Sequence, residues 1–229
     1  MITHPFILFF YFLTEKLNRF FSIFHKKRRE RNYAVNSRIS SVKENVFLED
    51  QSRETGLLYG SKSFSHSGCG TAAVFNALIA LKTPVPIADI IRHFEKHGAS
   101  MSAAFGTSPG SAFKYLKKII SEKTSSEERP PQIRTCASRR KFKSLAESSD
   151  VLIFTIMNNR RKITRMIHTM CIERFPDNDQ KNTDPASRYI VHNSHGRPES
   201  YGSYEEMMAS LGDGSGMADG VYMIGIKKA

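Results

Sequence analysis

Cysteine is scarce and poorly spaced for a structural role: the chain holds three, Cys69, Cys136 and Cys171, with no CxxC pair among them. An odd count without paired spacing excludes a disulfide framework and a cysteine-rich zinc site, and it predicts a reducing, cytoplasmic setting. Long apolar runs are missing too. A spanning helix needs about 20 mostly apolar residues, whereas the run from Pro5 to Leu13 soon meets Glu15 and Lys16, so a full crossing is not expected. A secretory signal is disfavoured because no positive charge precedes that run and no small-residue cleavage site follows it. Internal repeats and low-complexity tracts are absent. His93 and His97 have the i, i+4 spacing of a helical zinc pair, but Phe94 stands where a metalloprotease needs its glutamate. Gly212, Gly214 and Gly216 form no phosphate loop, because no Lys-Ser/Thr ending or helix follows them. No metal or cofactor is therefore predicted.

What is present is an ordinary globular composition. The 229 residues are 40% apolar and 24% charged, enough for one medium domain and a short extension. The formal charge of +12 suits nucleic acid, an anionic membrane surface or an acidic substrate, and does not choose among them. Arg139, Arg140, Lys141 and Lys143, and then Arg160, Arg161, Lys162 and Arg165, lack the interleaved aromatics of a single-strand binder. Nucleic acid is disfavoured as a partner.

The chain divides into three stretches. Residues 1–31 carry an amphipathic helix pattern, with Leu17, Phe20, Phe21 and Phe24 opposite Glu15, Lys16, Asn18 and Arg19, followed by Lys26, Lys27, Arg28, Arg29 and Arg31. This segment reads either as an interfacial anchor on the inner face of an anionic membrane or as a helix that docks on its own domain or on a partner. Residues 32–60 are polar and weakly periodic, a linker and entry segment. The domain proper runs from 61 to 229. Its front half predicts helices over Thr71 to Lys82, Ile87 to His97 and Ser111 to Ile120; after Pro130 and Pro131 come strands at Ile133 to Cys136, Val151 to Met157, Ile167 to Phe175, Tyr189 to His192 and Val221 to Ile226, with helices at Arg140 to Glu147 and Tyr204 to Leu211. Helices first and an antiparallel sheet second is an α+β layout.

Cys69 lies in Ser67-Gly68-Cys69-Gly70-Thr71, at the start of the first of these helices. A helix start lowers a thiol's pKa, because unpaired N–H groups and the macrodipole favour negative charge there. The flanking glycines predict room for a substrate carbonyl and a free Cys69 N–H for an oxyanion. A small apolar residue beginning a buried helix explains the same pattern. A nucleophilic cysteine also needs a base and an orienting group. His168 opens one strand and Asn193 closes the next, so a hairpin brings them to one sheet edge. Pairing Phe175 with Arg188 would place Met170 opposite Asn193 and His168 opposite His195, with His168 and Asn193 on one face. His192 and His195 compete as bases; His192 should point away from Asn193's face.

With Cys, His and Asn in this order, and helices before a sheet, the chain resembles the papain-like cysteine peptidases, nearest in look to the compact bacterial peptidases that process double-glycine leader peptides. The likeness rests on Gly68-Cys69-Gly70-Thr71-Ala72-Ala73, Gly106-Thr107-Ser108-Pro109, His168-Thr169-Met170 and Tyr189-Ile190-Val191-His192-Asn193. It covers about Ser61 to the end. It implies a papain-like fold, a peptide or protein substrate, Cys69 as nucleophile, His168 as general base and acid, and Asn193 as the orienting group. These peptidases commonly carry an oxyanion-hole glutamine about six residues before the cysteine; here Ser63 stands in that place. Ser63, Ser65 and His66 are the candidate replacements. A papain-fold binding module without turnover is the alternative that the missing glutamine permits.

Overall fold

A computed structural model describes residues 4–124, 129–158, 166–175, 188–194, 196–212 and 217–229. The basic run from Arg160 to Arg165, the connection 176–187, His195 and most of the glycine-rich turn after Gly212 lie outside the described residues. The helices are α1 (His4–Phe21), α2 (Lys26–Asn36), α3 (Phe64–Ser67), α4 (Cys69–Ala80), α5 (Ile87–His97), α6 (Pro109–Lys123), α7 (Arg139–Glu147) and α8 (Tyr204–Ser210). The strands are β1 (Leu58–Tyr59), β2 (Lys62–Ser63), β3 (Gln132–Cys136), β4 (Val151–Met157), β5 (Ile167–Arg174), β6 (Tyr189–His192), β7 (Glu199–Tyr201) and β8 (Gly220–Lys227). β1 and β2 form a small hairpin. The other six make one sheet in the order β3-β8-β4-β5-β6-β7, antiparallel throughout. This is an α+β chain.

Alternation along β4 decides how the layers form. Val151 and Ile153 face a core that includes Phe75, Leu78, Ile91 and Leu116 from α4, α5 and α6. Leu152, Phe154 and Ile156 face the other side, where Phe142 of α7 and Met207 of α8 cover the sheet. A period of two on a sheet buried on both faces produces an unbroken apolar sequence. α4 is the central helix. Every residue from Gly70 to Leu78 is buried, so it has no polar stripe and its stability comes from packing, with roughly 1.5–3 kcal/mol for each large apolar side chain removed from water.

Helix starts follow local chemistry. Ser108 precedes Pro109 at the first turn of α6, where a missing N–H costs nothing. Ser203 accepts from the Glu206 N–H at 3.1 Å, and the Glu206 carboxylate accepts from the Gly202 N–H at 2.8 Å, a reciprocal cap for α8.

The N-terminal segment docks on its own domain. Ile7, Tyr11, Thr14, Glu15 and Asn18 form the buried stripe of α1. The Tyr11 hydroxyl donates to the Phe105 carbonyl at 3.0 Å, and the Asn18 Oδ1 accepts from the Ser102 N–H at 2.9 Å. The stretch 32–60 is more than a linker. α2 extends through Asn36, whose side chain bonds the Leu58 backbone in both directions, and Leu48, Leu57 and Tyr59 belong to the main core. Asn32 donates to the buried Glu95 carboxylate at 2.7 Å, as does the Gly60 N–H at 2.6 Å, tying α2 and the small hairpin to α5. Burial still pushes Glu95 above the ordinary carboxylate value, against these hydrogen bonds.

Candidate active site

Cys69 begins α4, whose first intrahelical bond runs from the Ala72 N–H to the Gly68 carbonyl at 2.8 Å. The sulfur therefore sits among the helix's leading N–H groups. The adjoining chain is closely fitted. A Cβ on Gly70 would stand 2.9 Å from the Thr107 Cβ, and one on Gly68 would stand 2.6 Å from the Phe64 carbonyl oxygen. These glycines let the helix start pack against the protein, which differs from the expectation that they clear a path for substrate. Gly106 adopts φ 79°, and a Cβ there would meet the Ser67 carbonyl oxygen at 3.0 Å, so the Gly106-Thr107 corner can pass directly over the Ser67–Cys69 turn.

β5 brings the partner. His168 is paired with Ile156 of β4 on one side, while on the other side β6 ends at His192, opposite Cys171. His168 thus lies on an open edge of β5. The ladder pairs Arg174 with Tyr189, and the Phe175 N–H donates to the Arg188 carbonyl at 2.8 Å, which is the register expected from the sequence. The His168 ring lies beside the Cys69 sulfur, with the backbone N–H groups of Thr169 and Gly70 also close to it. Burial pushes the Cys69 thiol up, but the hydrogen bond and charge of His168 and the two N–H groups outweigh it, leaving the thiol below its usual value. Burial pushes His168 down, yet its contacts with Cys69 and with Asn193 hold it above the ordinary imidazole value. Both shifts favour a thiolate–imidazolium pair.

Asn193 meets His168 by a different atom from the one expected. Its backbone carbonyl lies 2.8 Å from His168 Nε2. Its side chain turns elsewhere: Oδ1 accepts from the Gln51 N–H at 3.0 Å, and Nδ2 donates to the Gln51 Oε1 at 3.1 Å. The cause is local. Asn193 leaves the strand at φ 62°, a left-handed conformation that asparagine tolerates better than most residues. An extended backbone at Asn193 would have turned its side chain toward His168; the left-handed turn presents the carbonyl instead.

His192 serves a neighbouring purpose. Nδ1 lies 2.7 Å from Glu49 and Nε2 3.2 Å from Glu173, and the ring stacks on Phe47 with centroids 3.9 Å apart. Burial pushes this imidazole down, but Glu173 and Glu49 raise it above its ordinary value. With both nitrogens engaged by carboxylates, His192 clamps the entry segment to β6 and does not face Cys69.

A cavity of about 300 Å³ opens over this arrangement, lined by Cys69, His168, Ser67, Gln51 and Tyr11 among others. Ser65 and His66 also line it, whereas Ser63 does not and instead shares a 2.9 Å hydrogen bond with Ser65. The sequence reasoning passed over Ser67. This residue is buried, its hydroxyl has no hydrogen-bond partner among the described residues, and it precedes Cys69 by one turn-forming glycine. No signal in the sequence marks it beyond being a hydroxyl in the turn before Cys69. Tyr11 was likewise unforeseen; α1 supplies it as a wall of the cavity.

No family model, curated protein or solved structure matches this chain. No cluster of metal-ligating side chains occurs among the described residues.

Proposed function

We propose that this chain is a papain-like cysteine hydrolase, acting on an amide or thioester carbonyl of a peptide or protein. The observation that carries the reading is the juxtaposition of Cys69, at a helix start, with His168 in one cavity, the His168 Nε2 being held by the Asn193 carbonyl at 2.8 Å. The thiolate attacks the carbonyl carbon, and the resulting oxyanion collapses as His168 gives its proton to the leaving amine or thiol. The thioester left on Cys69 is then attacked by water, whose proton returns to His168, or by an amine in a transfer reaction. The acid or new amide departs and the thiolate is restored.

Alkylation tests the nucleophile first. Iodoacetamide at neutral pH is expected to label Cys69 well ahead of Cys136 and Cys171, read by peptide mass spectrometry; Cys171 is fully buried and burial raises its thiol well above the ordinary value. Equal rates at Cys69 and Cys136 would remove the activated thiolate. A binding module of the same fold, favoured by the absence of glutamine at Ser63, would keep its whole biological effect in a Cys69→Ala variant.

The orienting carbonyl makes a separate claim. Because the backbone of Asn193 is what meets His168, Asn193→Gly, which accepts positive φ, is expected to retain several-fold more turnover than Asn193→Ala, which does not. Equal losses in the two variants, measured as kcat on one substrate, would return the role to the side chain.

A further inference from the structure

The surface formed by α1, the 3-10 turn Ser22–His25 and α2 has two features that the hydrolase chemistry does not use. The outward face of α1 and the turn leaves Phe6, Phe9, Phe12, Phe20, Ile23 and Phe24 more than half exposed, Phe20, Ile23 and Phe24 at 73%, 79% and 78%. Exposed apolar residues scattered singly need no explanation, but a row of them on one helix and its continuation does. No helix among the described residues is long and apolar enough to cross a membrane, so this row is not part of a described span.

Beside it lies the second feature, a concavity of about 520 Å³ between α2 and α5. Lys26 and Arg29 of α2 and Arg92 and Lys96 of α5 line it, against two acids, Glu30 and Asp89. Arg19, at the end of α1 just before Phe20, donates to the His97 carbonyl at 3.0 Å, and His97 also lines the concavity. The aromatic row therefore runs directly into the basic hollow. The linear cluster read from the sequence is split by the fold. Arg28 donates to the Ser102 Oγ at 2.9 Å and Arg29 to the Ser22 carbonyl, while Arg92 and Lys96 join Lys26 from a helix some 60 residues later.

We infer that this face docks on an anionic phospholipid bilayer, with Phe20, Ile23 and Phe24 entering the acyl boundary and a lipid phosphate seated in the Lys26–Arg29–Arg92–Lys96 hollow. Apolar side chains that reach below the headgroups, with cations at headgroup level, are the physical basis of interfacial binding. Charge complementarity selects the occupant: a second copy of a chain with net charge +12 would repel this hollow, whereas an anionic bilayer satisfies both features together. Because α1 also supplies Tyr11 to the Cys69 cavity, docking holds that cavity at a fixed height above the lipid surface.

Vesicle flotation with the full chain tests this independently of any hydrolysis. The chain is expected to bind phosphatidylcholine vesicles containing about a third phosphatidylserine and to leave vesicles of phosphatidylcholine alone, with binding weakened by added salt. Arg92→Glu with Lys96→Glu should weaken binding by about 10²-fold, and Phe20→Ser with Phe24→Ser by about tenfold or more per phenylalanine. All four residues are on the surface, and an unchanged circular dichroism spectrum and melting curve will certify folding. Failure of the wild type to bind anionic vesicles, charge reversal without effect, binding of inorganic phosphate in place of vesicles, or self-association through this face would each overturn the inference. Loss of flotation with Cys69 still readily alkylated would overturn docking and leave the hydrolase reading standing.

Discussion

A His168→Ala variant is expected to lose at least about 10³-fold in turnover, and the alkylation of Cys69 should shift to higher pH. The direction of that shift follows from what remains after the ring is gone. Burial, the largest influence on the thiol, raises its pKa and stays; the hydrogen bond and charge of His168, which lower it, vanish; the N–H groups of Thr169 and Gly70 persist. The folded-state thiol therefore rises from its depressed position, and at neutral pH the thiolate fraction falls. Measured as iodoacetamide rate against pH, the wild-type midpoint lies below the usual cysteine value and the variant midpoint lies above the wild type's. With the proposed mechanism, the wild-type turnover profile is expected to have an acid limb where Cys69 gains its proton and an alkaline limb, above the ordinary imidazole range, where His168 loses its own. A midpoint that His168→Ala leaves unmoved would show that the ring does not share a proton with the sulfur, and the catalytic reading would fall with it. Cys136 in the same samples serves as the internal reference, since the hydrogen bonds at its sulfur are to the Ser138 backbone.

The parts of this molecule that were legible in the sequence are those set by periodicity. The apolar run Val151–Met157 and the bounded run Tyr189–His192 end where the strands end, and Ile87–His97 does the same for α5, closed by Gly98. The hairpin register took one further assumption, that Phe175 pairs with Arg188, because antiparallel pairing leaves one free integer and a long polar connection does not fix it; the ladder has that pairing. What could not be read were features that depend on a single residue's backbone or on distant contact. β7 has three residues after a Pro and a Gly, too few to carry a period. The turn at Asn193 swaps a side chain for a carbonyl through one positive φ. The fate of the N-terminal helix depended on a stripe, Ile7, Tyr11, Thr14 and Asn18, that mixes polar and apolar residues, so that its buried face resembled an exposed one. In the candidate site, Cys69 and His168 were found by type and order, whereas Ser67, Gln51 and Tyr11 were not, because cavity walls come from segments with no common pattern.

Ser67 carries the second large effect. A thioester-forming attack places negative charge on the carbonyl oxygen, and preorganised donors near that charge are worth about 10²–10³ in kcat each. Ser63, which stands where the peptidases that the chain resembles carry a glutamine, bonds Ser65 and does not line the cavity. Ser67 is a residue of the cavity wall, and its buried hydroxyl finds no partner among the described residues. An unpaired buried hydroxyl costs stability in the resting protein, so it is well suited to a group that makes its hydrogen bond only when the oxyanion forms. Ser67→Ala is therefore expected to lower kcat by about 10²–10³ while leaving the protein as stable as before or slightly more so. Iodoacetamide distinguishes this role from damage to the nucleophile. Alkylation proceeds by displacement at carbon and builds no carbonyl oxyanion, so its rate at Cys69 should be unchanged in the same variant. Ser63→Ala, removing a hydroxyl outside the cavity, should change kcat little. If Ser67→Ala leaves kcat intact, or slows alkylation and turnover together, the oxyanion role is wrong, and the donor must be sought in the Cys69 N–H acting with Gln51 or Asn158, the side-chain amides at the cavity wall.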